Sequence, residues 1–432
     1  MRFTRSAPLA VLILLLAPTV VAQTSQYTAP GGGGAGDSPP DREQIEREME
    51  EARWRLGPFR VAPWLALRGL TYEDDVFVQN EEGDAEATSD VHGSVGAGLS
   101  VYLPVGEDVF WVVQALPEYL FWVDLDERNQ LIGRYGAGLY ADLNRLRIGL
   151  DGQLAEQQGT VTSESAQQVL SERTSVHAVA ELEVTAAFSV AVDAAQSEHT
   201  HELADGSTVS AGFDYSNLDR EEQVLAAELR YHPSEKVELA LGAEATETDF
   251  DAGARDLSST GTSPYLRLHL DGNRLLFDAQ VVRRELEPEP GSVLVPVDQT
   301  EGSARLELEV NHRFELSLYG SLSTAYAISS GFTQFDQERL GVGVGLPLSD
   351  RLTLSAFYET GSDDYEPLPA APLRADDVTS WGASASFAIG EWLTYRAGVT
   401  EVDYDSNLDT FDRDYLRIES SVVLSTGDWV WR

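Results

Sequence analysis

The chain has no cysteine in 432 residues and a single lysine, Lys236. Without cysteine there is no disulfide, no thiolate metal site and no thiol nucleophile. A secreted chain of this kind is held by its core or by a closed hydrogen-bonded sheet. After residue 22 no apolar run is long enough to span a bilayer as a helix. Positive charge is scarce as well: 30 Lys plus Arg face 72 Asp plus Glu, a net charge of −42. That balance excludes nucleic acid as a partner, because binding it needs basic surface to displace counterions. What positive charge remains is arginine, the better partner for carboxylates in confined places, although an arginine-rich codon bias accounts for the preference equally well. Histidine is sparse, and none of the seven lies in a G-x-S-x-G or H-E-x-x-H frame. The expectation is therefore no enzyme, no cofactor, no catalytic residue and no metal site.

The N-terminus gives the compartment. "MRFTRSAPLAVLILLLAPTVVAQ" has Arg2 and Arg5, then an apolar run, then small residues ending at Ala22. This is the layout of a secretory signal over residues 1–22. Residues 23–40, rich in Gly, Pro and Ser, read as a flexible linker. Residues 41–56 place Ile45, Met49, Ala52 and Leu56 at helical spacing after Asp41, and Gly57-Pro58 ends the pattern. That helix is either a solvated periplasmic spacer or a periplasmic plug or docking helix for a partner.

From residue 57 to 432 the period becomes two. "SARLELEVNHRFELSLYGS" (303–321) alternates Leu306, Leu308 and Val310 with Arg305, Glu307 and Glu309. "ELALGAEAT", "YLRLHLD" and "LGVGVGL" behave alike, each with one wholly apolar face. Connections alternate short ("VGED", "LNR", "NHR") and long ("HTHELADGSTVSAGFDYSNLD"). A soluble sandwich has no reason to keep every second connection tight. A transmembrane barrel does, with short periplasmic turns and long outer loops. Nine long connections and eight short ones predict an all-β antiparallel transmembrane barrel of about eighteen strands (16–18). No later segment has the helical period of a layer that would cover the apolar face.

Alternation assigns faces. It places Arg68, Arg134, Arg147, Arg230, Arg267, Arg305, Arg396 and Arg417 toward the lumen, beside Glu228, Glu307 and Glu309. Such a mixture either forms transverse fields that orient polar solutes or is a paired network that satisfies the interior. Inward glycine and serine (Gly96, Gly98, Gly341, Gly343, Gly345, Ser384, Ser386) are expected to thin the wall and leave space. Aromatics near strand ends, among them Trp111, Trp122, Phe357, Trp381 and Tyr415, are expected to form lipid-facing girdles. "EHTHE" (198–202) and the acidic stretches "YEDD" (72–75), "SDDYE" (362–366) and "DYDSN" (403–407) are expected in outer loops.

"GPFRVAPWLALRGLTYEDDVF" (57–77), then "VYLPVG" (101–106) and "EYLFW" (118–122), resembles the start of outer-membrane β-barrel (porin-2-like) proteins. Barrels of exopolysaccharide loci are related to that family. The family supplies no agreed active residues, and the ending "GDWVWR" departs from the aromatic terminus usual in such barrels. The resemblance implies a porin-like channel for small polar solutes, saccharides among them. The alternatives are a conduit or scaffold in exopolysaccharide export and a closed-lumen surface-binding protein with acidic loops. The expected location is the outer membrane of a Gram-negative bacterium. Expected partners are outer-membrane lipid and lipopolysaccharide, the barrel assembly machinery, and a periplasmic partner through residues 41–56.

Overall fold

A sheet that meets lipid can leave no edge unpaired, and the computed structural model closes it: eighteen antiparallel strands pair in sequence and the last pairs with the first. The structure describes residues 42–425 apart from 53, 80–84, 160–163, 165–167, 204–208, 211–212, 252–254, 330, 350, 370, 390–392 and 409–410. The expected signal, linker and C-terminal "GDWVWR" lie outside the described residues. The first six strands are β1 (Phe59–Gln79), β2 (Ala85–Val105), β3 (Val109–Trp122), β4 (Gln130–Leu143), β5 (Leu146–Gly159) and β6 (Val169–Thr185). Next come β7 (Phe188–Leu203), β8 (Arg220–Ser234), β9 (Val237–Phe250), β10 (Ser259–Asp271), β11 (Leu275–Pro288) and β12 (Val297–Asn311). The last are β13 (Phe314–Tyr326), β14 (Phe332–Ser349), β15 (Leu352–Pro367), β16 (Arg374–Ala388), β17 (Leu393–Ser406) and β18 (Arg413–Ser425). Closure runs from Trp64 opposite Ser425 to Glu73 opposite Arg417, with a register shift between Leu67 and Leu70. That shift exchanges the faces of β1: Trp64 is inward before it and Glu73 after it, both buried.

Short turns close one end and longer connections the other, as the loop asymmetry predicts. The strands, however, are 13 to 21 residues long, longer than their apolar alternation. "YEDD", "EHTHE" and "SDDYE", expected in loops, lie within β1, β7 and β15, and all but the last residue of "DYDSN" lies in β17. Beyond the lipid both sheet faces are polar, so the apolar signal stops while the hydrogen-bonded ladder continues.

The outward face keeps its leucines and valines: Leu241 is 62% exposed, Leu266 54% and Leu340 63%. Leu306 pairs with Leu318 on that face, while Arg305 and Glu307 lie opposite Tyr319 and Ser317 on the inner one. Trp111, Tyr119 and Tyr395 are exposed outward near strand ends, and Tyr358 and Trp381, ladder partners, are exposed at mid-strand. Trp122 and Tyr415 are not girdle residues. They face inward with Phe357, whose ring lies over Gly382. The inward glycines do not leave open space either. A Cβ on Gly341 would meet the ring of Tyr319, its ladder partner, and one on Gly242 would meet that of Tyr265. Aromatic rings fill the notches left by glycine on the neighbouring strand, a cross-strand joint that fixes register.

The N-terminal helix, α1 (Arg42–Glu51), is shorter than the expected 41–56. Trp54–Leu56 forms instead a three-residue strand paired with Phe59–Val61. The turn between them needs positive φ, and Gly57 supplies it at 64°.

Candidate functional site: the lumen and its two ends

Strand alternation aims charged side chains into the lumen, where a carboxylate or guanidinium stripped of water needs a partner. On the wall from β5 to β10 they find one. Arg147 and Arg230 each lie 2.9 Å from Glu181, Arg230 Nε donates to Glu228 at 2.5 Å, and Arg267 lies 3.1 Å from Glu228 and 3.2 Å from Glu238. Tyr265 Oη donates to Glu228 at 3.1 Å. Above this chain His177 bridges Asp151 at 3.4 Å and Asp193 at 2.5 Å. Of the inward residues expected from alternation, Arg147, Arg230, Arg267 and Glu228 therefore form one network. Arg417 joins Glu73 at 3.1 Å, and Arg305 pairs with Glu307. The side chain of Arg68 lies outside the described residues.

Arg134 and Arg396 are inward, exposed, and in no ion pair among the described residues. The ladder register adds Arg173. Arg134 pairs with Ala155 and Ala155 with Arg173, so two arginines flank one alanine on a single inward row. The row runs on through His199 to Arg220. Arg173 is exposed without an ion pair, whereas Arg220 bonds Glu222 at 2.6 Å. At the short-turn end of β12 and β13 the open charges are carboxylates. Glu309 and Glu315 are direct ladder partners, like charges that destabilise a bare sheet, and neither is in an ion pair among the described residues.

At the outer end several connections pack together. Val169, Leu203, Tyr215, Leu218, Phe250, Leu257, Leu294, Tyr326 and Ile328 form a buried apolar cluster drawn from strand ends and four loops. Glu164, in the connection after β5, reaches across to accept from the backbone N–H of Ile328 and, at 3.3 Å, of Ser329. Arg374 lies 3.7 Å from it and stacks on Tyr365 and Phe411, 4.1 and 3.7 Å from the ring centres. Arg255 donates to the carbonyls of Ala327, Ser329 (2.6 Å) and Phe332. Burial raises the Glu164 carboxyl above its ordinary value, against the pull of Arg374, the two N–H groups and Arg255. Burial lowers the Arg255 guanidinium, with Glu164 opposing it. Just inside, Arg339 pairs with fully buried Asp363 at 2.7 Å.

At the short-turn end α1 lies against the inner wall. Ile45, Ala52 and Met49 pack on Ala62, Tyr102, Phe110, Val112 and Tyr140, and Tyr102 Oη donates to Glu48 at 3.1 Å. The helix is thus seated on the lumen wall rather than solvated as a spacer. Burying Ile45 contributes about 1.5–3 kcal/mol, and the hydrogen bond about 1 kcal/mol.

An edge-free barrel with outward-facing leucines, a charged lumen and tight turns at one end has the architecture of a transmembrane β-barrel. No family model matches the chain, and no curated protein is significantly similar to it. Solved structures are similar in fold. OccAB3 of Acinetobacter baumannii aligns with TM-score 0.50 and 13% identity, over 84% of this chain and 99% of that one. A BenF-like porin from Pseudomonas fluorescens gives 0.51 and 10% over 84% and 98%. OpdQ of Pseudomonas aeruginosa gives 0.51 and 11% over 85% and 98%. The barrel is the fold that the resemblance of the opening strands implies.

Proposed function

We propose that the protein is a porin-type channel of the Gram-negative outer membrane that passes small polar solutes, saccharides among them, through a lumen lined with open charge. One observation carries this: among the described residues several inward charges stand in no ion pair. Arg134 and Arg173 lie toward the long-connection end of β4 and β6, Glu309 and Glu315 flank the 311–313 turn at the other end, and Arg396 lies near the start of β17. A purely structural interior neutralises its charges where they lie, as the Glu181–Arg230–Glu228 chain does. Charges left open to the lumen instead attract and orient a polar solute as it passes.

Planar-bilayer recording with a salt gradient tests the reading. The full chain is expected to conduct, and Arg134→Ala with Arg173→Ala to move the reversal potential toward cation preference. Liposome swelling with neutral sugars should persist in that double variant. An intact, membrane-inserted barrel that passes neither ions nor sugars contradicts the proposal.

A further inference from the structure

We propose that α1 is a hinged lid on the short-turn mouth of the barrel, seated on the lumen wall when closed and swung out about Ala52 when open. This rests on the channel reading above. The seat is the first evidence. Much of the inward face is charged or hydroxylated, but the wall facing α1 gathers Ala62, Tyr102, Phe110, Val112 and Tyr140 into one patch. Three aromatic residues and a valine pointing into water have no place in an aqueous mouth unless something apolar covers them. The cover is Ile45 and Met49, on one face of α1, with Ala52 just past its end.

The helix itself is the second. Ten residues are too few for a stable isolated helix in water. α1 also carries five glutamates and two arginines, with Glu48, Glu50 and Glu51 at its C-terminal end and no base in the last turn. Those carboxylates oppose the helix dipole. α1 is therefore held by its seat, and a modest loss of contact there releases it. The third is the tether. Only residues 52 and 53 separate Glu51 from Trp54, where the hairpin to Phe59–Val61 begins. Trp54, Leu56 and Phe59 on that hairpin are exposed on the side that faces the membrane interface, where such side chains anchor. A helix on so short a leash pivots at the mouth without leaving it, so reseating is intramolecular and fast.

Because the chain lacks cysteine, two introduced thiols report the lid cleanly. In the full chain, Met49→Cys with Val112→Cys joined by a short bis-methanethiosulfonate linker should hold the channel at its lower conductance. Cleaving the linker with reductant should restore switching between two levels. Ile45→Glu, which puts a charge into the seat, should hold the upper level. Equal conductance in the linked, cleaved and Ile45→Glu proteins overturns the lid. A second readout does not need current: maleimide should modify Met49→Cys about tenfold faster in the Ile45→Glu background. If no variant conducts, the channel reading falls and this labelling decides the lid, with equal rates overturning it and the tenfold difference supporting it.

Discussion

The two ends of the barrel are closed by opposite means. At the outer end several connections interlock: nine apolar residues pack together, Arg255 and Glu164 bond the backbone of the 327–332 connection, and Arg374 lies 3.7 Å from Glu164. At the short-turn end one ten-residue helix rests on one patch of wall, where Tyr102 Oη donates to Glu48. Many mutually dependent contacts open together or not at all. A single helix on a short tether opens alone. Two closures of one lumen can therefore differ widely in free energy, and the weaker one sets which end moves.

That contrast is sharpened by substitutions of graded size. The largest effect is expected at Asp363. Removing its carboxylate leaves the guanidinium of Arg339 buried without its ion-pair partner, and Asp363→Ala should cost about 3–5 kcal/mol, read as the urea midpoint of the folded barrel in lipid. Ile45→Ala should weaken the α1 seat by about 2 kcal/mol or more and leave that midpoint unchanged, since no barrel strand loses a ladder partner. A shifted midpoint would mean that α1 is part of the barrel's global stability, and the contrast would fail. The smallest effect is titration of the outer closure. The closed state holds the Glu164 carboxyl above its ordinary value, so it binds a proton more tightly than an opened state does. The outer closure is thus favoured below the ordinary carboxylate range and loosens as pH rises through the raised value. Conductance should fall reversibly on acidification, and Glu164→Gln should remove that dependence while leaving the contacts of Arg255 and Arg374 elsewhere in place.

Most of the barrel was legible in the sequence because one force, the contact of alternate residues with lipid, wrote a period of two along the middle of every strand. Leu239, Leu241, Leu266 and Leu340 face out as their spacing says. Where that force stops, so does the reading. Arg173, Arg220, Arg284, Arg339 and Arg374 were missed as inward residues because they lie in the outer parts of strands that are polar on both faces. Their signal was parity: Arg220 shares the face of Arg230, and Arg339 that of Gly341. The bulge near Leu67 shows why parity must be followed from both ends. Glu164 had no signal at all, since nothing local tells a loop carboxylate that it will meet an arginine more than two hundred residues away. The seat of α1 was visible in part. Phe110 and Val112 are apolar where alternation asks for polar residues, and that breach marked the wall needing a cover.

Native-state hydrogen exchange of the lipid-embedded full chain tests the difference between the two closures most directly. The amides of Arg42–Glu51 should exchange at least a hundredfold faster than those of Ile328, Phe332 and the strands below them, and Ile45→Glu should speed only the helix. Equal protection of α1 and the outer connections, or loss of both together in Ile45→Glu, would contradict a lid at one end and interlocked connections at the other.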